Sequence, residues 1–273
     1  MQKVLKEVRE YERTCTKFIA SSENLLLDLD QLQEIKRLKH LLKSAFSEIH
    51  VFVFLRRQDL FVVSQHNDAI KRGTTFASPF GYIKRTKFMP FLDYFNRLQM
   101  WKYVFYDNQF ALMSHGNNLQ SFVGALDISH LSSFKSSSRE NTALSPPAAE
   151  LVRRINFFLK RSKSYYADQI RDSVIIQEKG RGLLPARSKA IKFYQDYKKS
   201  NQDLYSIFGG DEKFFDDDFI MYPEKSDIET MAEKDVTEIL QRHAEKVEVP
   251  SSYTAMLLET LSSSARVQSC GSA

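Results

Sequence analysis

The stretch VFVFLRRQDLFVVSQHNDAIKRG, Val51 to Gly73, carries an apolar run into two arginines and then an isolated serine inside a helical pattern. Arg56 leaves the end of the apolar run, and Ser64 follows eight residues later. A guanidinium is a forked donor for a phosphate, a hydroxyl adds a further hydrogen bond, and a helix N-terminus favours negative charge. In an open parallel sheet, ligands gather at the carboxyl ends of strands, which is where such an arginine would emerge. The same spacing also suits an arginine paired with a carboxylate and a serine on a helix surface. Both readings stay open on these residues alone.

Two more clusters could do chemistry. SSEN, Ser21 to Asn24, ends an earlier apolar run. If that run is a strand, Glu23 emerges on the same sheet edge, where a partly desolvated carboxylate beside an anion can act as a general base. A helix cap is the competing reading. KGRGLLPARS, from Lys179, is a loop with two glycines and three basic residues. The six histidines show no metal-ligand spacing, so no metal site is expected; His66, two residues past Ser64, reads as a helix-surface residue. No recognition-module signature for nucleic acid is present, and none is expected as a partner.

These residues need elements to hold them. With 273 residues, 42% hydrophobic and 27% charged, the chain reads as globular with a substantial core. No apolar run reaches the roughly 20 residues needed to cross a bilayer. The charged helical N-terminus has no signal-peptide pattern, and the two cysteines lie near opposite ends, so the expected compartment is the cytoplasm. The net charge of +5 is uneven: residues 1–195 carry 31 Lys+Arg against 18 Asp+Glu, and residues 196–273 carry 8 against 16. That split suits an anionic ligand or merely solvated faces.

In LDQLQEIKRLKHLLKSAF, Leu32, Ile35, Leu38, Leu42, Ala45 and Phe46 share one helical face. EIHVFVFL is a continuous β-branched and aromatic run, as in a parallel strand covered on both faces. The order strand, helix, strand, helix predicts an α/β layer structure with right-handed crossovers. MPFLDYFNRLQMWKYVF reads as a helix, and NNLQSFVGAL as a strand or helix edge. Pro146 and Pro147 open a further helix. SKAIKFYQDYKKSNQDLYSIFGG reads as one helix closed by glycines. Asp216 to Asp218 read as a solvated loop. Residues 250–273, low in charge and rich in serine, read as a loosely attached or disordered tail behind a single domain spanning 1–249.

Taken in order, IASSENL, VFVFLRRQDLFVVSQHNDAIKRG, MWKYVF, NTALSPPAAELVRRIN, KGRGLL and KSNQDLYSIFGGDEKFFDDDF resemble the bacterial sulfotransferase-like proteins associated with surface polysaccharides. The resemblance covers roughly residues 17 to 223. It implies a P-loop-type three-layer α/β fold, a central parallel sheet with helices on both faces. It also implies transfer of a sulfuryl group from 3′-phosphoadenosine 5′-phosphosulfate (PAPS) to a hydroxyl of a carbohydrate acceptor. Arg56 and Ser64 match the residues that hold the donor's 3′-phosphate. Glu23 stands where a catalytic base would be placed, and Arg181 lies in a late loop that would close over the nucleotide. The family begins with a strand and a Gly-rich, Lys- and Thr-containing loop that cradles the 5′-phosphosulfate, whereas no glycine precedes Gly73 here. The expectation is therefore a chain lacking that strand and loop. It would be either shortened at its N-terminus or a non-catalytic relative that binds a nucleotide or glycan. A basic scaffold that binds polyanions is the remaining alternative.

Overall fold

A computed structural model describes residues 8, 10–11, 14–15, 17–22, 24–84, 86, 89–106, 110–114, 122–124, 126, 142–209 and 215–269. In chain order these form α1 (Leu25–Asp28), α2 (Leu32–Lys43), β1 (Val51–Leu55), α3 (Gln58–Lys71), α4 (Pro79–Ile83), α5 (Tyr94–Val104) and β2 (Phe110–Ser114). There follow α6 (Pro146–Leu159), α7 (Tyr165–Gln177), α8 (Arg187–Gln195), α9 (Lys198–Leu204), α10 (Asp227–Thr230), α11 (Glu233–Lys246) and α12 (Ser251–Ser269). Helices dominate the described residues. None of them is long and apolar enough to cross a membrane. The chain divides into two compact units.

The first unit comprises residues 1–56, 87–129 and 197–216. Its two strands pair in parallel, Val51 opposite Phe110 through Leu55 opposite Ser114. Parallel strands cannot be joined by a tight turn, and here the intervening chain contains α3, α4 and α5. The core of this unit is Ile35 and Leu38 of α2 against Trp101, Val104 and Phe105, with Val51 and Phe110 packed on it. The helical spacing read from the sequence thus delivers two of its six residues to the buried centre, while Leu32 and Leu42 pack at its margin. A capping box fixes the start of α2: Gln31 and Glu34 each bond the other's backbone. The earlier strand expected around IASSENL does not form. Residues 17–22 lack a ladder partner among the described residues; Ile19 is exposed, and the Phe18 ring lies 5.7 Å from that of Phe46.

The second unit comprises residues 57–86, 130–196 and 217–273. Its core is built on α6, where Leu151, Val152 and Ile155 are fully buried, joined by Ile70, Ile170, Val174, Leu240, Leu257 and Leu261. Pro146 and Pro147 occupy the first turn of α6, where their missing N–H groups cost nothing. Two expectations need correction here. Residues 251–269 are not a loose tail, because they form α12 and its Leu257 and Leu261, one turn apart, are buried in this core, while residues 270–273 lie outside the described residues. The long helix expected from Ser188 is divided: α8 ends at Gln195, Tyr197 leaves helical geometry at φ −106° and ψ 1°, and α9 begins at Lys198 in the first unit. NNLQSFVGAL lies largely outside the described residues, apart from a helical turn at 122–124.

Candidate functional site

Arg56 follows β1 directly in the first unit, half-buried, and its carbonyl accepts a hydrogen bond from the Tyr94 hydroxyl at 2.7 Å. The carboxyl end of a parallel strand pair is where the sequence reading placed it. The division between the units falls between Arg56 and Arg57. Ser64 lies in the second unit, half-buried in the second turn of α3. Glu23 lies outside the described residues.

The neighbour of Arg56 is a surprise the residue types half announced. Arg57 is 4% exposed and forms a forked pair with fully buried Asp59: Nε donates to Oδ1 at 2.8 Å and Nη2 to Oδ2 at 3.0 Å. Its Nη1 donates to the Asp218 carbonyl at 2.6 Å, and its guanidinium lies 4.1 Å from the Phe219 ring centre. The Tyr222 hydroxyl completes the cluster by donating to Asp59 Oδ2 at 2.6 Å. Burial, then the charge of Asp59, pushes the Tyr222 phenol far above its usual range, so it stays protonated as a donor. This closed network anchors the N-terminus of α3 to the FDDDF segment. Asp216 to Asp218 are exposed, but Asp218 is tied in: its Oδ1 accepts from Ile220 N at 2.7 Å and its carbonyl serves Arg57.

The KGRG loop belongs to the same unit. Gly180 donates to the Ala143 carbonyl at 2.7 Å and Gly182 to the Leu144 carbonyl at 2.8 Å. A Cβ at Gly180 would stand 2.6 Å from Ser145 Cα, and one at Gly182 (φ 82°) 2.2 Å from Asn67 Nδ2. Both glycines are therefore required by close docking against the α6 entry and against α3. Arg181 points both Nη groups at Asp227, each at 2.7 Å, and the same carboxylate accepts from Leu184 N at 2.7 Å. The arginine read as a phosphate contact thus holds the loop closed on α10, and an anion would have to share its fork.

Sequence spacing gave no sign of three buried polar clusters in this unit. Glu150 of α6 is clasped by Arg153 and Arg154, and Arg154 also reaches Glu233 at 2.6 Å. Burial alone would raise the Glu150 carboxyl, but the two guanidinium groups outweigh it and hold it below the ordinary range. Ser173 Oγ lies 2.8 Å from His243 Nδ1, and His243 Nε2 lies 3.0 Å from Glu178 Oε1. A serine, a histidine and a carboxylate in line resemble a nucleophile relay. Here Ser173 is 9% and His243 1% exposed, so the hydroxyl is not presented to a substrate and the relay ties α7 to α11. His66, expected on a surface, is fully buried, with Nε2 2.8 Å from the Ala77 carbonyl. Its pKa is pushed down to about 4, chiefly by burial. No group of three or more His, Cys, Asp or Glu among the described residues could hold a metal ion.

An open basic groove lies on the first unit, with a volume of about 570 Å³. Lys36, Lys39, His40 and Lys43 of α2 line one side, and Tyr103, Val104 and Tyr106 the other.

The chain matches no protein-family profile, and no solved structure matches it. It is similar to an uncharacterized protein of Archaeoglobus fulgidus, 25% identical over 240 residues. That match covers 84% of this chain and 62% of the relative, so the chain spans less than two thirds of the relative's length.

Proposed function

We propose that the chain is a sulfotransferase-like protein that moves a sulfuryl group from PAPS to a hydroxyl of a carbohydrate acceptor. The observation that carries this reading is the parallel β1–β2 pair with Arg56 directly after β1, at the edge where open α/β sheets of the P-loop type receive ligands. The three-layer arrangement with a central parallel sheet is part of the same proposal.

In this reading Arg56 and Ser64 hold the donor's 3′-phosphate, and Arg181 assists from the KGRG loop by sharing the fork it gives Asp227. PAPS supplies a sulfuryl group on a good leaving phosphate. The acceptor oxygen attacks sulfur and forms the new S–O bond, and the bond from sulfur to the 5′-phosphate oxygen breaks. Adenosine 3′,5′-bisphosphate leaves with that electron pair, and Glu23 takes the hydroxyl proton. Such a transfer needs positioning and charge stabilisation above all. The commitment of Arg181 to Asp227 favours a second reading, a relative that binds the nucleotide without transferring sulfuryl. Calorimetry tests the site common to both: adenosine 3′,5′-bisphosphate binds, and Arg56→Ala weakens it by about 1.5–3 kcal/mol, the size of a charge-assisted hydrogen bond. Equal binding by the variant would contradict the assignment.

A further inference from the structure

The groove on the first unit carries a specific chemistry. Lys36, Lys39, His40 and Lys43 stand at intervals of three, one and three residues, so they form one ridge along α2. At the helical rise of 1.5 Å per residue, Lys36 and Lys43 are about 10 Å apart along the axis. Facing them, Tyr103 is 65% and Tyr106 72% exposed, so two aromatic faces border the lysine ridge. Lys36 Nζ stands 5.7 Å from the Tyr103 ring centre and Lys39 Nζ 5.6 Å from that of Tyr106. Lys39 also donates to the Val104 carbonyl and so fixes the floor. No carboxylate is among the lining residues.

Each feature narrows the ligand. Ammonium groups are point charges without the fork geometry of arginine, so they tolerate anionic groups that arrive along a chain in varied orientation. An open trough suits an extended polymer that passes through it better than an enclosed small molecule. Paired lysines and tyrosines suit sugar rings, whose apolar C–H faces lie on the aromatic ring while an acidic substituent meets the ammonium.

We propose that this groove docks an anionic polysaccharide, a sugar chain carrying carboxylate or sulfate groups, and that this is the class of acceptor. The inference rests on the carbohydrate-acceptor reading above. The test is titration of the full chain with a short oligogalacturonate, with a neutral oligoglucan and with a thymidine oligonucleotide of equal length as comparisons. Adenosine 3′,5′-bisphosphate binding is measured on the same samples. The variants are Lys36→Gln with Lys43→Gln, both exposed and clear of the Val104 bond, and Tyr103→Ala. The expected result is oligogalacturonate binding that falls with added salt, no binding of the neutral glucan, and about tenfold weaker binding in the double lysine variant. Bisphosphate binding by that variant should match the parent chain, which also shows that it is folded. Absence of oligogalacturonate binding, equal binding by the lysine variant, or tighter binding of the oligonucleotide would overturn the proposal. If oligogalacturonate binds through the groove but the bisphosphate does not bind at all, the groove stands and the sulfotransferase reading fails. If the reverse is seen, the donor reading stands and the acceptor class is wrong.

Discussion

At the residue scale, Arg57 is a structural anchor, whereas its neighbour Arg56 is the residue proposed to meet the donor. Arg57 is enclosed by Asp59, the Asp218 carbonyl, Phe219 and Tyr222, so its truncation leaves the Asp59 charge buried without its counter-ion. Arg57→Ala is expected to cost about 3–5 kcal/mol of stability, and Tyr222→Phe about 1–2 kcal/mol, read from denaturant unfolding. A stability of Arg57→Ala equal to the parent chain would mean that the network is not formed. His66 makes a pH prediction. Its folded pKa of about 4 lies below the ordinary 6.5, so its neutral form is favoured in the fold. As pH falls from 6.5 toward 4, the unfolded chain binds a proton that the fold refuses, and stability drops by up to about 3 kcal/mol. Glu150 acts lower: its carboxyl sits below 4.5 in the fold, so its contribution is full above that value and is lost as pH falls through the lower folded one. Unfolding measured across pH 4–7 should therefore be flatter for His66→Asn than for the parent chain. Equal slopes would refute the assignment.

At the element scale, the strand and helices with strong patterns were legible. EIHVFVFL gives β1, LDQLQEIKRLKHLL gives α2 and the Pro-Pro pair opens α6, because periodicity and proline geometry act locally. What failed was non-local. IASS has strand-like residues but no ladder to join among the described residues, and the serines of residues 251–269 disguised a helix whose Leu257 and Leu261 fit a core built by α6, α7 and α11. Nor could spacing show that the KGRG glycines are demanded by Ser145 and Asn67, residues far away in sequence. Leu257, fully buried, supplies the prediction at this scale. Leu257→Ala should cost about 2–5 kcal/mol, seen as a lower denaturant midpoint. An unchanged midpoint would show that α12 does not belong to the core.

At the scale of the whole molecule, the basic body and acidic last third are explained in part by internal pairing. In the second unit Arg154 meets Glu233, Arg181 meets Asp227, Arg187 meets Glu224, and Lys189 lies 3.7 Å from Glu229. Each pairs a cation from before residue 196 with an acid from after it. Charge counted along the chain could not show this, because it does not know which residues fold together. The lysines of the first-unit groove line it without any acid among them, and there the basic excess faces outward. Arg56 and Ser64 were legible as candidate residue types, while the buried pairing of Arg57 with Asp59 became visible only in the fold. The most direct test of the central claim is a calorimetric titration of the parent chain, Arg56→Ala and Ser64→Ala with adenosine 3′,5′-bisphosphate. Saturable binding by the parent chain, weakened in both variants without loss of folded structure, is expected. Absence of binding by the parent chain, or identical affinities in all three proteins, would contradict it.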